Sequence, residues 1–347
     1  MPTYLIHVGP HKTGTTYLQL RLDAARARLR AQGVNYPSVW SSSESEPSHR
    51  RLVVALRESR IACLRSQFEA IEQDQPEYVL ISAEGISHLD RQAIESLGSL
   101  TRGHPVTIIL YIRRWSELLP SLWQERVKHG HDETLPAFLS ANLGDPFNSN
   151  AMNFAHAIDR YAAVFGRANI AIVSYSNVCD RGIDLAEHFL ATFLPWCRGV
   201  IDDLPPLRDA RPNRSLPPRE IEVIRALNSI AYSDDSARSS RLRDWYFARS
   251  GRFDLTKLHA AIDGNITALN ISDTSSAVHC LHEALFSTCH DLLVQPVGSG
   301  SLFEPLTTAV PFVQPRYLAN PKARETLDQI YRTFLADCRL GHTAQRR

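Results

Sequence analysis

One stretch near the start constrains this chain more than any other: HVGPHKTGTTYLQ, residues 7 to 19. It follows the apolar run TYLIHVG (3 to 9), which reads as a buried strand of a parallel sheet. From Thr15 onward Leu18, Leu22, Ala25 and Leu29 recur at helical spacing, with arginines at 21, 26, 28 and 30 between them. That pattern predicts an amphipathic helix, capped by the Thr15 and Thr16 hydroxyls and ending near Gly33. A glycine-rich turn between a strand and a helix is the architecture of a phosphate-binding loop. The usual form, G-x-x-x-x-G-K-[ST], places lysine directly after the second glycine. Here Gly9 and Gly14 have the required separation, Thr15 stands in the lysine slot, and the cation is Lys12, two residues before Gly14.

Downstream, YVLISAEG (78 to 85), VTIILYIRR (106 to 114) and IAIVSYS (170 to 176) read as further strands. Helical patterns lie between them at about 50 to 74, 91 to 99, 115 to 130 and 183 to 194, the third bent at Pro120. This alternation predicts an α/β fold: a P-loop-type parallel β-sheet flanked by helices over residues 1–200. LPPLRDARPNRSLPPRE (204 to 220) is a Pro- and Arg-rich connector. Beyond it helices are expected at about 217 to 229, 277 to 293 and 321 to 340, with no strand. Residues 201–347 therefore read as a mostly helical C-terminal cap of the same domain.

Composition limits the functional classes. A net charge of +1 over 347 residues does not suit a protein whose main work is binding nucleic acid or an anionic membrane, so any anion site must be local. Six widely spaced cysteines contain no C-x-x-C pair and no Cys/His cluster at zinc-ligand spacing, so they read as reduced thiols. The first residues lack a signal-peptide pattern, and no run reaches the roughly 18 apolar residues of a membrane helix. The expectation is a cytoplasmic protein without a transmembrane segment; oligomeric state is open.

Chemically, the loop directs backbone N–H groups and a helix N-terminus at one point, with Thr13, Thr15 and Thr16 adding hydroxyls. Phosphoryl transfer from a triphosphate needs Mg²⁺ and a lysine across the terminal phosphates, and this loop lacks that lysine. Lys12, inside the turn, suits the bridging oxygen of a short phosphate leaving group. Sulfuryl transfer from a phosphosulfate fits such a site without a metal.

GPHKTGTTYLQ resembles the 5′-phosphosulfate loop of sulfotransferases that use 3′-phosphoadenosine 5′-phosphosulfate, closest to bacterial members that begin almost at the N-terminus with this loop. The resemblance implies that Lys12 meets the leaving phosphate, that Thr13, Gly14, Thr15 and Thr16 supply loop donors, and that Tyr17 lies near adenine. The family's second motif is an arginine ending a strand and a serine eight residues later. YIRRWSELLPS supplies Arg113 and Ser121 for the 3′-phosphate, with Arg114, read as exposed in the next helix, able to exchange roles with Arg113. Tyr175 in SYSNV matches a strand-end tyrosine near the nucleotide. The Arg-Lys-Gly element that completes the 3′-phosphate pocket in cytosolic members is absent; Arg252, or Arg211 and Arg214, are the substitutes in view.

A general base must take the acceptor's proton. In cytosolic members of the family this is a histidine just past the strand that precedes the 3′-phosphate strand, and in other branches a glutamate, so the resemblance points to Glu84 in LISAEG. His49, in PSHRRL, is the second candidate, as base or substrate-orienting residue. His11, inside the loop, is read either as lying near the transferred sulfuryl or as covering the turn. The resulting expectation is a metal-independent sulfotransferase acting on a hydroxyl of a carbohydrate or small metabolite and releasing 3′-phosphoadenosine 5′-phosphate. The alternatives are a P-loop small-molecule kinase using Mg-ATP and a nucleotide-binding protein without catalysis. Trp115 and Trp123 could face a sugar acceptor, but helix-spaced aromatics more often read as core.

Overall fold

The structure is a computed structural model that describes residues 1–42, 47–205, 215–231, 236–294 and 301–344. The chain forms two compact units, each assembled from separate segments. The first comprises Met1–Arg114, Pro146–Asn213 and Ser275–Pro305; the second comprises Trp115–Asp145, Arg214–Thr274 and Leu306–Arg347. The sequence suggests one boundary near residue 200, whereas the chain passes between the units first at residues 114 and 115.

The first unit is α/β. Its strands are β1 (Thr3–His7), β2 (Val34–Asn35), β3 (Tyr78–Ser82), β4 (Val106–Ile112) and β5 (Ile170–Ser174). They pair in the order β2-β3-β1-β4-β5, and every pairing is parallel. Near-continuous burial of β1, β3 and β4 shows why these segments are unbroken apolar runs: helices cover both faces of the sheet. Leu5 of β1 packs with Leu80, Ile109 and Tyr111 against Leu18 and Leu22 of the helix Thr15–Ala24 and Phe189 of the helix Leu185–Phe193. On the opposite face Tyr4 meets Phe68 of the helix Ile61–Gln73, ring centroids 5.7 Å apart.

Strand β1 is central, with β3 on one side and β4 on the other. The chain visits β2 and β3 on one flank and then crosses to β4 and β5. In open parallel sheets the place of such a reversal, here the carboxyl end of β1, is where ligands bind.

Two local expectations are revised, and one strand is added. The helical pattern at 50 to 74 is two helices, Arg50–Arg57 and Ile61–Gln73. Ser59, at φ 53°, closes the first, with the Arg60 amide on the Ala55 carbonyl (2.9 Å) and the Ser59 amide on the Leu56 carbonyl (3.1 Å). This is a Schellman ending built on serine, so no glycine marks it. The first helix is interrupted at Ala25 and resumes as Arg26–Ala31; its apolar stripe, Leu18, Leu22, Ala25 and Leu29, is fully buried. Finally, β2 is only two residues long, too short to carry a pattern.

In the second unit the long helices are Trp115–Lys128, Pro218–Ala231, Ser236–Arg249 and Pro321–Ala344. Contrary to the strand-free reading of this region, β6 (Ile266–Ser272) and β7 (Thr307–Val313) pair antiparallel from Ile266 with Val313 to Ser272 with Thr307. Most of their residues are partly or fully exposed, and Pro311 interrupts β7, so neither presents an apolar run. Trp115 and Trp123 are buried, in agreement with the core reading. Among the described residues no helix is long and apolar enough to cross a membrane.

Candidate functional site

The candidate residues of the first unit leave the carboxyl ends of neighbouring strands. The loop follows β1, Glu84 follows β3, Arg113 follows β4 and Tyr175 follows β5. Parallel register brings these ends level, with His7 beside Ser82 and Ile112 beside Ser174.

Within the loop, Lys12 (φ 68°) and Gly14 (φ 73°) are both left-handed, while Thr13 between them is not. Such alternation turns successive amides towards one side and forms an anion-binding concavity. Gly14 also caps the helix Thr15–Ala24, contributing no side chain, so the capping residue leaves the first-turn amides to other acceptors. Two close approaches explain the glycines. A Cβ on Gly9 would lie 2.7 Å from Thr15 Cγ2, and one on Gly14 would lie 2.5 Å from Leu185 Cδ2.

The threonines differ from expectation. The Thr13 hydroxyl donates to the Pro10 carbonyl at 2.7 Å, and Thr15 turns to the same carbonyl at 3.5 Å instead of capping the helix. A hydroxyl has one proton, so in this arrangement neither offers it to an anion. Thr13 and Thr15 thus leave the loop's amides and Lys12 as the donors to be considered beside Thr16.

A left-handed lysine costs about 1–2 kcal/mol relative to the ordinary helical region. Arg113 offsets part of that cost by donating from Nη1 to the Lys12 carbonyl at 2.8 Å. Its guanidinium also lies over the Tyr175 ring, 5.5 Å from the centroid. Arg114 is not the exposed residue expected from the sequence. It is 3% exposed, its amide donates to Ser176 Oγ (3.1 Å), and its guanidinium pairs with Asp180. Of the two arginines, Arg113 is the one joined to the loop.

Tyr17 donates to the Asp184 carboxylate, which also accepts from the Ala186 and Glu187 amides and so caps the helix Leu185–Phe193. Burial, then Asp184, pushes the Tyr17 phenol up to about 12, so it stays a donor at neutral pH.

Glu84 opens a short 3-10 turn, Glu84–His88. Its carboxylate meets His11 Nδ1 at 3.1 Å, with both side chains partly exposed. The His88 ring stacks on His11, centroids 4.9 Å apart. Burial, then the neighbouring His11, lowers the His88 pKa, which favours its neutral form. The structure therefore brings Glu84 and His11 together.

His49 lies elsewhere. It is fully buried, packs tilted against the Tyr36 ring with centroids 4.5 Å apart, and accepts the Ser82 amide on Nδ1 at 3.2 Å. Burial, then Arg26, pushes its pKa down to about 3. The contacts of His49 fix the end of β3 from which Glu84 departs. A second buried group supports β1: His7 shares a 2.8 Å hydrogen bond with Ser82 Oγ, which also accepts from Gln19 at 3.2 Å.

Ser121 and Arg252 belong to the second unit, whereas Arg113 belongs to the first. Ser121 is half-buried on the helix Trp115–Lys128, whose start is held by Asp273 accepting from the Ser116 amide (2.9 Å) and hydroxyl (2.6 Å). Arg252 is exposed, and Arg211 and Arg214 lie outside the described residues. Sequence reading missed Asp184, Asp180 and His88, whose partners are 167, 66 and 77 positions away. No local pattern reports contacts at that range. No family model, curated protein or solved structure matches this chain.

Proposed function

We propose that this protein is a sulfotransferase, an α/β enzyme of the P-loop sulfotransferase type. It moves a sulfuryl group from 3′-phosphoadenosine 5′-phosphosulfate to a hydroxyl of a carbohydrate or small metabolite in the cytoplasm. The observation that carries the reading is the loop itself: Lys12 held left-handed inside the turn, its carbonyl braced by Arg113 from the adjacent strand end. A lysine in the turn supports this reading, because a 5′-phosphate leaving group develops charge that a nearby cation stabilises. The position after Gly14, which would carry a lysine for a terminal phosphate, is Thr15.

In the proposed reaction the acceptor oxygen attacks sulfur in line with the departing phosphate. The loop amides and Lys12 hold the phosphate, Tyr17 and Tyr175 flank the adenosine, and Arg113 takes the 3′-phosphate. Glu84 and His11, 3.1 Å apart, are the acidic and basic groups available to receive the acceptor's proton. The transfer needs no metal, because the charge on the leaving phosphate is met by Lys12 and the amides.

Calorimetry with 3′-phosphoadenosine 5′-phosphate and with ATP, each with and without magnesium, tests the reading. The bisphosphate should bind equally well in both conditions and ATP poorly. Tight binding of Mg-ATP together with indifference to the bisphosphate would refute it. Turnover of the phosphosulfate should survive chelator, and Glu84→Gln should abolish most of it while leaving bisphosphate affinity intact.

A further inference from the structure

We infer that His11, not Glu84, is the group that takes the acceptor's proton, with Glu84 as the positioning residue that holds the imidazole in the required tautomer. This assignment rests on the sulfotransferase reading and divides the roles within the His11 and Glu84 pair.

The geometry is specific about which nitrogen does what. The Glu84 carboxylate lies 3.1 Å from Nδ1, and a carboxylate facing that nitrogen favours the tautomer with the proton on Nδ1. In neutral imidazole the other nitrogen, Nε2, is then a bare acceptor. The His11 side chain is 42% exposed, which leaves it within reach of an incoming hydroxyl. This is the orientation logic of a carboxylate behind a catalytic imidazole, in which the carboxylate sets the tautomer and stabilises the imidazolium without becoming protonated.

Two further observations favour histidine as the acceptor of the proton. His88 stacks on the ring and is pushed towards its neutral form by burial, so it can pack against a protonated His11 without adding a second charge. Lys12 is the next residue along the same left-handed turn. The proton acceptor and the cation that meets the leaving group are thus carried by one backbone segment, and Arg113 fixes that segment through the Lys12 carbonyl.

The step balances without any co-reactant. As the acceptor oxygen forms its bond to sulfur, its proton passes to His11 Nε2. The bond between sulfur and the phosphate oxygen breaks, and its electron pair stays on that oxygen beside Lys12. The products are a sulfate ester, 3′-phosphoadenosine 5′-phosphate and an imidazolium that returns its proton to solvent.

The test uses the full chain and needs no knowledge of the natural acceptor. In wild-type protein labelled with ¹⁵N-histidine, long-range proton–nitrogen spectra, assigned with His11→Gln, should show neutral His11 protonated at Nδ1. Glu84→Gln should erode that preference. With water as acceptor, release of 3′-phosphoadenosine 5′-phosphate from the phosphosulfate should fall about 100-fold or more in His11→Gln. Calorimetric affinity for the bisphosphate should stay within about twofold of wild type. Protonation of His11 at Nε2 would overturn the assignment, as would wild-type release by His11→Gln with the bisphosphate still bound. Failure of the wild-type protein to bind the bisphosphate would instead overturn the donor reading itself.

Discussion

Arg113→Met separates two contributions of one side chain, one present in the structure and one proposed. The first is the brace on the loop, Nη1 to the Lys12 carbonyl at 2.8 Å. A hydrogen bond from a charged group contributes about 1.5–3 kcal/mol. Arg113 is only half-buried, which favours the lower end, about 1.5 kcal/mol or roughly tenfold in affinity. Every ligand that places a phosphate in the loop should lose this factor, because Lys12 is then freer to leave its left-handed conformation. The second contribution is the proposed contact with the 3′-phosphate, of similar or greater size, about 10- to 150-fold. Only a ligand bearing that phosphate should lose it. Methionine preserves a long apolar stem beside Tyr175, so the substitution removes charge and donors more than packing. Adenosine 5′-phosphate should therefore weaken about tenfold, and 3′-phosphoadenosine 5′-phosphate by a further 10- to 150-fold. Both are measured by calorimetry on both proteins at one salt concentration. An equal loss for the two ligands would show that Arg113 only braces the loop. No loss for either would refute the brace as well.

Two stability predictions follow from buried charge. In the second unit Arg225 donates to both Glu222 oxygens at 2.8 and 2.7 Å and to the Asp132 carbonyl at 2.8 Å, while Tyr317 donates to Glu222 at 2.8 Å. Glu222→Gln leaves that guanidinium buried without its counter-charge and should cost about 3–5 kcal/mol in denaturant unfolding; a loss below about 1 kcal/mol would refute the pairing as a stabilising contact. His7 and His49 are buried with pKa values pushed down to about 3, below their unfolded value of about 6.5. The unfolded chain thus binds more protons as pH falls from about 6.5 towards 3, so stability should drop by up to about 1.4 kcal/mol per pH unit for each histidine. Melting scans between pH 7.5 and 5 should show the decline begin near pH 6.5, and a flat profile would contradict the buried neutral imidazoles.

Much of the first unit was legible because its elements are local. Strands β1, β3, β4 and β5 are apolar runs buried on both faces, and such runs appear in sequence whatever they pack against. The helix after the loop announced itself through Leu18, Leu22, Ala25 and Leu29, all of which are buried. The end of the helix Arg50–Arg57 was illegible because a serine, not a glycine, takes the left-handed position. Strands β6 and β7 escaped because much of their surface stays exposed, which removes the hydrophobic alternation that marks a strand.

For the site, the sequence by itself determined the loop, its displaced lysine and the residues that end each strand, since all are set by spacing along a few turns of chain. Tertiary structure decided how those residues are used. It buried Arg114 against Asp180 and left Arg113 to hold Lys12, sent the Thr13 hydroxyl to Pro10, enclosed His49 and brought Glu84 to His11. The physical reason is that a side chain's protonation and hydrogen bonding depend on neighbours within a few ångströms. Here those neighbours arrive from strand ends up to a hundred residues apart, brought level by the register of a parallel sheet.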